Sequence, residues 1–231
     1  CLDQLMIFND EILFIHNGKT GGTSCAAYLL ECLPDPVYVC RADAHWYCAQ
    51  HPGKKLIPVT GVNQHCPLFG APKHLQLAAG VGISDFRKIL IVIRHPLSLE
   101  YSFYLHMQKP QVRERRKNNP ELLRLADGCF SEFIRGAGYH REGLPQEAFF
   151  LVDGVIPPNV ELIRFETLAQ SFSKAVQPYS KPGHVVAFPH ANASQISTPL
   201  SELLTDEIRE LTYAKHRYMF ESGLYDINQL V

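Results

Sequence analysis

Ile12-Leu13-Phe14-Ile15-His16-Asn17-Gly18-Lys19-Thr20-Gly21-Gly22-Thr23-Ser24 joins an apolar, β-favouring run to a turn punctuated by three glycines. Beyond the turn, Ala26, Ala27, Tyr28, Leu29 and Leu30 continue as a helix that Thr23 or Ser24 is expected to cap. A strand, a glycine loop and a helix N-terminus in this order make an anion site. The first backbone N–H groups of a helix lack intrahelical acceptors and its dipole is positive there. Lys19 adds a full positive charge. The loop departs from the nucleotide triphosphate pattern G-x-x-x-x-G-K-[ST], because Leu13 stands where its first glycine would fall.

Composition limits what the anion belongs to. The 231 residues, 46% of them hydrophobic, suffice for one α/β domain over residues 1–231 with a substantial core. A net charge of −1 gives no whole-chain attraction to nucleic acid, so no nucleic-acid partner is expected and any basic site must be local. No apolar run reaches the ~18 residues of a membrane span, and no signal peptide is visible, although a chain beginning at Cys1 leaves a preceding leader or anchor open. Seven cysteines without a C-x-x-C pair suit free thiols better than a disulfide framework. Cys40, His45, Cys48 and His51 do not have a common zinc-finger spacing, so no metal is expected.

Further strands are expected at Val37-Tyr38-Val39, at 56–61, where Pro58 suggests an edge, at 88–93 and at 160–165. Lys88-Ile89-Leu90-Ile91-Val92-Ile93 is a continuous apolar run suited to a strand covered on both faces at the centre of a parallel sheet. Helices are expected within 73–86, from Pro96 through Met107, near 121–125 and 129–136, from Glu166 to Val176, and from Leu203 to Ser222. The charged run Arg113-Glu114-Arg115-Arg116-Lys117 reads either as a solvated face or as a flap towards an acceptor. Alternating strands and helices predict a three-layer α/β/α domain with a central, mainly parallel sheet.

Arg94 follows the predicted central strand, where open α/β sheets place ligands, and Ser102 lies on the helix that leaves it, so together they offer a second phosphate site. The string Lys19-Thr20-Gly21-Gly22-Thr23-Ser24 resembles the 5′-phosphosulfate loop of sulfotransferases that use 3′-phosphoadenosine 5′-phosphosulfate (PAPS). The run from Arg94 through Pro96 to Ser102 resembles their 3′-phosphate motif. Leu162-Ile163-Arg164-Phe165-Glu166, Ala191-Asn192-Ala193-Ser194 and the closing Gly223-Leu224-Tyr225 extend the likeness to the carbohydrate group, with its heparan 2-O type and bacterial relatives. His95 and Leu99 depart from it, since the family often has Asp or Asn and then Arg at those positions.

The resemblance implies a P-loop-like fold and transfer of a sulfuryl group from PAPS to an acceptor hydroxyl, the acceptor being a glycan or small metabolite. Lys19 would stabilise the leaving phosphate, and Lys19, Thr20, Gly21, Gly22, Thr23, Ser24, Arg94 and Ser102 would bind the nucleotide. Histidine has a suitable pKa for the base, which makes His65 the first candidate and His74 the second. His16 would orient the loop. Two readings compete: a P-loop small-molecule kinase using Mg-ATP, and a non-catalytic nucleotide-binding module. The compartment stays open, cytoplasmic for a bacterial protein and Golgi lumen for a trimmed eukaryotic one.

Overall fold

A computed structural model describes residues 6–60, 66–139, 143–183, 186–189 and 199–229. Six strands form one sheet: β1 Met6–Phe8, β2 Ile12–Ile15, β3 Val37–Cys40, β4 Leu56–Val59, β5 Lys88–Ile93 and β6 Val160–Arg164. The helices are α1 Gly22–Cys32, α2 Ala44–Ala49, α3 Ala71–Ala79, α4 Pro96–Met107, α5 Pro110–Arg115, α6 Pro120–Asp127, α7 Phe130–Gly136, α8 Leu168–Val176, α9 Leu200–Leu203, α10 Asp206–Lys215 and α11 Arg217–Glu221. They fall into two compact units. The first comprises residues 1–93 and 146–193, and the second 94–145 and 194–231.

The first unit holds the whole sheet, in the order β4-β3-β1-β2-β5-β6. β2 pairs with β5, β5 with β6 and β3 with β4 in parallel, whereas β1 runs antiparallel to both its neighbours. The fold is therefore mixed α/β with a mostly parallel sheet. β5 does not lie at the centre as its apolar run suggests; it is one strand in from the edge. Having a partner on each side and both faces buried is enough to select that run. β4 is the edge strand that Pro58 implies, since an edge tolerates a missing N–H.

Phe14 of β2, Leu90 and Val92 of β5, Leu29 of α1, and Phe172 and Val176 of α8 form one apolar cluster on one sheet face. The alternate residues, Leu13, Ile15, Ile89, Ile91 and Ile93, point to the other face and are also buried. Each such side chain contributes roughly 1.5–3 kcal/mol relative to exposure, so the paired β2 and β5 are the firmest part of the sheet. From β2 the chain crosses through α1 to β3 on one side, while β5 lies on the other. The carboxyl ends of β2 and β5 thus flank a topological switch point, the usual place for a ligand in such sheets.

The second unit is helical among its described residues. α4 is buried from Pro96 to Phe103, and its side chains serve two clusters, one with Phe133 and Leu125 and one with Phe130, Ile134 and Ile208. The helix expected over 203–222 is instead broken between α10 and α11. At the break His216 leaves helical geometry and its buried ring meets Glu100 at 2.7 Å. No helix among the described residues is long and apolar enough to cross a membrane.

Candidate functional site

In the first unit, β2 delivers the chain into the glycine loop with His16, Asn17 and Thr20 all buried. The Asn17 amide donates to the Val92 carbonyl at 3.3 Å and to Gln146 Oε1 at 3.4 Å, which ties the loop to the end of β5. The Thr20 hydroxyl donates to the Asn17 carbonyl at 2.7 Å. Thr20 therefore braces the loop from inside, and its proton is committed there.

Two residues turn the chain. Lys19 has φ 62° and Gly21 φ 78°, both left-handed, a conformation that is ordinary for glycine and strained for lysine. Gly21 caps α1, correcting the expectation of Thr23 or Ser24. Those two residues instead occupy the first turn, Thr23 half-buried and Ser24 buried, because the left-handed glycine starts the helix two residues earlier than a Thr23 cap would and three earlier than a Ser24 cap. The Cys25 N–H donates to the Gly21 carbonyl at 3.2 Å, in the first turn of the helix.

Gly22 is dictated by its surroundings, since a Cβ there would lie 1.9 Å from the His16 ring. At Gly21 a Cβ would lie 2.6 Å from Leu168 Cδ2. His16 thus packs on the backbone at the start of α1. The first turn of α1 carries no acidic residue, so no carboxylate within it offsets the helix dipole. What this arrangement can do chemically is hold an anion of phosphate size against backbone N–H groups beside an ammonium.

In the second unit, Arg94 directly follows β5 and is buried, its Nε donating to Ser98 Oγ at 2.8 Å. Ser98 and Ser102 stand one helical turn apart on α4, and both are buried. Ser98 was not singled out in the sequence, although its i+4 spacing from Arg94 was available as a signal. Asn17 was also missed, and no local pattern announces it, because its partners lie 75 and 129 residues away. His95 is a packing residue: its Nε2 lies 3.1 Å from the Asp226 carbonyl and its ring meets Tyr225 edge-on at 5.3 Å. Leu99 is buried.

Of the two candidate bases, His65 lies outside the described residues, as do residues 191–194. His74 is half-buried on α3, and burial, followed by the neighbouring Lys73 charge, holds its imidazole below the usual histidine range. It is therefore neutral at pH 7, the form a base requires. The charged run after α4 is an exposed surface: Arg113 makes a two-pronged pair with Asp127 at 2.8 and 3.0 Å, and Lys117 pairs with Glu114 at 2.8 Å. Cys40 is buried within β3, where burial pushes its thiol up to about 12.

No protein-family model, curated protein or solved structure matches the chain.

Proposed function

We propose that the chain is a PAPS-dependent sulfotransferase with a P-loop-like three-layer α/β/α domain, acting on the hydroxyl of a glycan or small metabolite. The observation that carries this reading is the loop between β2 and α1. There a left-handed Lys19 and Gly21 precede a helix start that is free of acidic side chains and closely packed on His16. In this reading the N–H groups of Gly22, Thr23 and Ser24 hold the 5′-phosphate of PAPS, with Gly21 providing the turn and Thr20 the brace. Lys19 faces the oxygen that bridges phosphorus and sulfur. Arg94 and Ser102 take the 3′-phosphate, as the sequence motif implies, and Ser98 orients the Arg94 guanidinium.

The acceptor oxygen forms a bond to sulfur as the bond from sulfur to the bridging oxygen breaks. The electron pair stays with the phosphate, which leaves as adenosine 3′,5′-bisphosphate, and Lys19 neutralises the charge that develops there. The hydroxyl proton passes to a histidine, His65 or His74. The residues implicated in this step do not require a metal.

The test is transfer of radiolabelled sulfur from PAPS to a panel of glycans and small alcohols by the wild-type protein, His65→Ala and His74→Ala. The base variant loses transfer by at least ~100-fold while keeping nucleotide affinity. If His74 is the base, kcat/KM falls as pH drops through a pKa below the ordinary ~6.5, because protonation removes the base. Absence of transfer to every acceptor, together with phosphoryl transfer from Mg-ATP, would replace this reading with a kinase.

A further inference from the structure

The residue after Arg94 starts α4 without doing what that position ordinarily asks of a side chain. His95 is the N-cap, with φ −52° and ψ 126°, and its carbonyl accepts the Leu99 N–H at 2.9 Å. A cap side chain usually accepts from an N–H of the first turn. His95 makes no such bond. Its imidazole, in a residue only 2% exposed, engages the segment that follows α11 instead.

That segment grips the ring from several atoms. Gly223, with φ 74°, turns the chain after α11, and its N–H donates to the Phe220 carbonyl at 3.0 Å. The Tyr225 N–H donates to the Met219 carbonyl at 3.0 Å, and the buried Tyr225 ring lies edge-on to His95 at 5.3 Å. Phe220 meets the same imidazole edge-on at 6.0 Å. The Asp226 carbonyl lies 3.1 Å from His95 Nε2 and also accepts the Gln229 N–H at 3.1 Å. A carbonyl can only accept, so Nε2 is the donor. Arg94 and Ser98, which flank His95 in the chain, are joined at 2.8 Å from Nε to Oγ. Holding His95 therefore holds the turn from β5 into α4 on which that pair depends, and Pro96 restricts the His95 backbone further.

We infer that His95 and Tyr225 are positioning residues for the 3′-phosphate: the segment 223–229 grips His95 and so sets Arg94 to receive that group. The inference rests on the sulfotransferase reading of Arg94. The test is calorimetric titration of adenosine 3′,5′-bisphosphate and adenosine 5′-monophosphate, which differ only in the 3′-phosphate, into the wild-type protein, His95→Phe, His95→Gln and Tyr225→Leu. The wild-type protein prefers the bisphosphate by at least ~10-fold, the worth of a charge-assisted contact. His95→Phe and Tyr225→Leu cut that preference to within ~3-fold while monophosphate affinity is unchanged. His95→Gln keeps the preference, because its amide nitrogen can donate to the Asp226 carbonyl. A wild-type preference that survives in His95→Phe, or an equal loss of both affinities, overturns the inference and leaves the sulfotransferase reading standing. Equal binding of the two nucleotides by the wild-type protein, or binding of neither, overturns that reading and this inference with it. Tyr225→Leu decides the matter if His95→Phe misfolds, since the ratio of affinities does not depend on the folded fraction.

Discussion

Gly22 and Lys19 separate what the loop needs for folding from what it needs for chemistry. Gly22→Ala places a methyl group into the His16 ring and is expected to cost about 1–3 kcal/mol in urea unfolding, much of which returns in the double variant with His16→Ala. Additive losses would show that the contact does not constrain the loop. Lys19→Gly acts in the opposite sense. Its left-handed φ is ordinary for glycine, so stability stays within ~1 kcal/mol of the wild type, while under the proposed function sulfuryl transfer falls by roughly 100-fold or more. A loss of stability without a loss of transfer would make Lys19 a turn residue only. At this scale the sequence was informative where chemistry is local: the glycines, Lys19 and Arg94 are visible from type and spacing. Asn17 was not, since an asparagine gives no sign that its amide bridges to the Val92 carbonyl, and Thr20 gave no sign that its hydroxyl turns inward.

Elements were legible in proportion to their length and periodicity. β5 and α4 stand where the apolar run and Pro96 place them, and β2, β3, β4 and β6 follow their β-favouring runs. β1 went unseen because three residues are too few to establish alternation; its pairing with β2 and β3 is a tertiary fact. α2 was lost in the mixed stretch after β3. The break between α10 and α11 was invisible for a different reason, since the helical spacing runs through it and a buried contact overrides it. Glu100 on α4 meets His216 at 2.7 Å and Lys215 at 3.0 Å, and Lys215 also donates to the Ala137 carbonyl at 3.0 Å. Burial pushes the Glu100 carboxyl up, but the His216 hydrogen bond and the Lys215 charge outweigh it and leave it below the usual range. Glu100→Ala strands those partners in the interior, and a loss of about 3–5 kcal/mol is expected from denaturant unfolding. A change within ~0.5 kcal/mol would show that the break does not depend on this cluster.

For the whole molecule, these buried groups set a pH window. Glu100 has a folded pKa below its unfolded one, so its contribution is present above the unfolded pKa and fades as pH falls through the folded value. Cys40 runs the other way. Its thiol stays protonated up to about 12 in the folded protein, so stability is lost as pH rises above the ordinary thiol range, and Cys40→Ala flattens that alkaline limb in pH-dependent thermal unfolding. An unchanged limb would assign it to other groups. The mostly parallel sheet was readable from the alternation of strands and helices, whereas the division into two units was not, because each is assembled from two separated stretches of chain. Calorimetric titration of adenosine 3′,5′-bisphosphate without magnesium, beside ATP with magnesium, tests the proposed nucleotide binding most directly. The account predicts that the bisphosphate binds the wild-type protein without metal, and that Lys19→Ala and Arg94→Ala each weaken it by at least ~10-fold through loss of a charge-assisted contact. Binding of Mg-ATP alone, or of neither nucleotide, would contradict it.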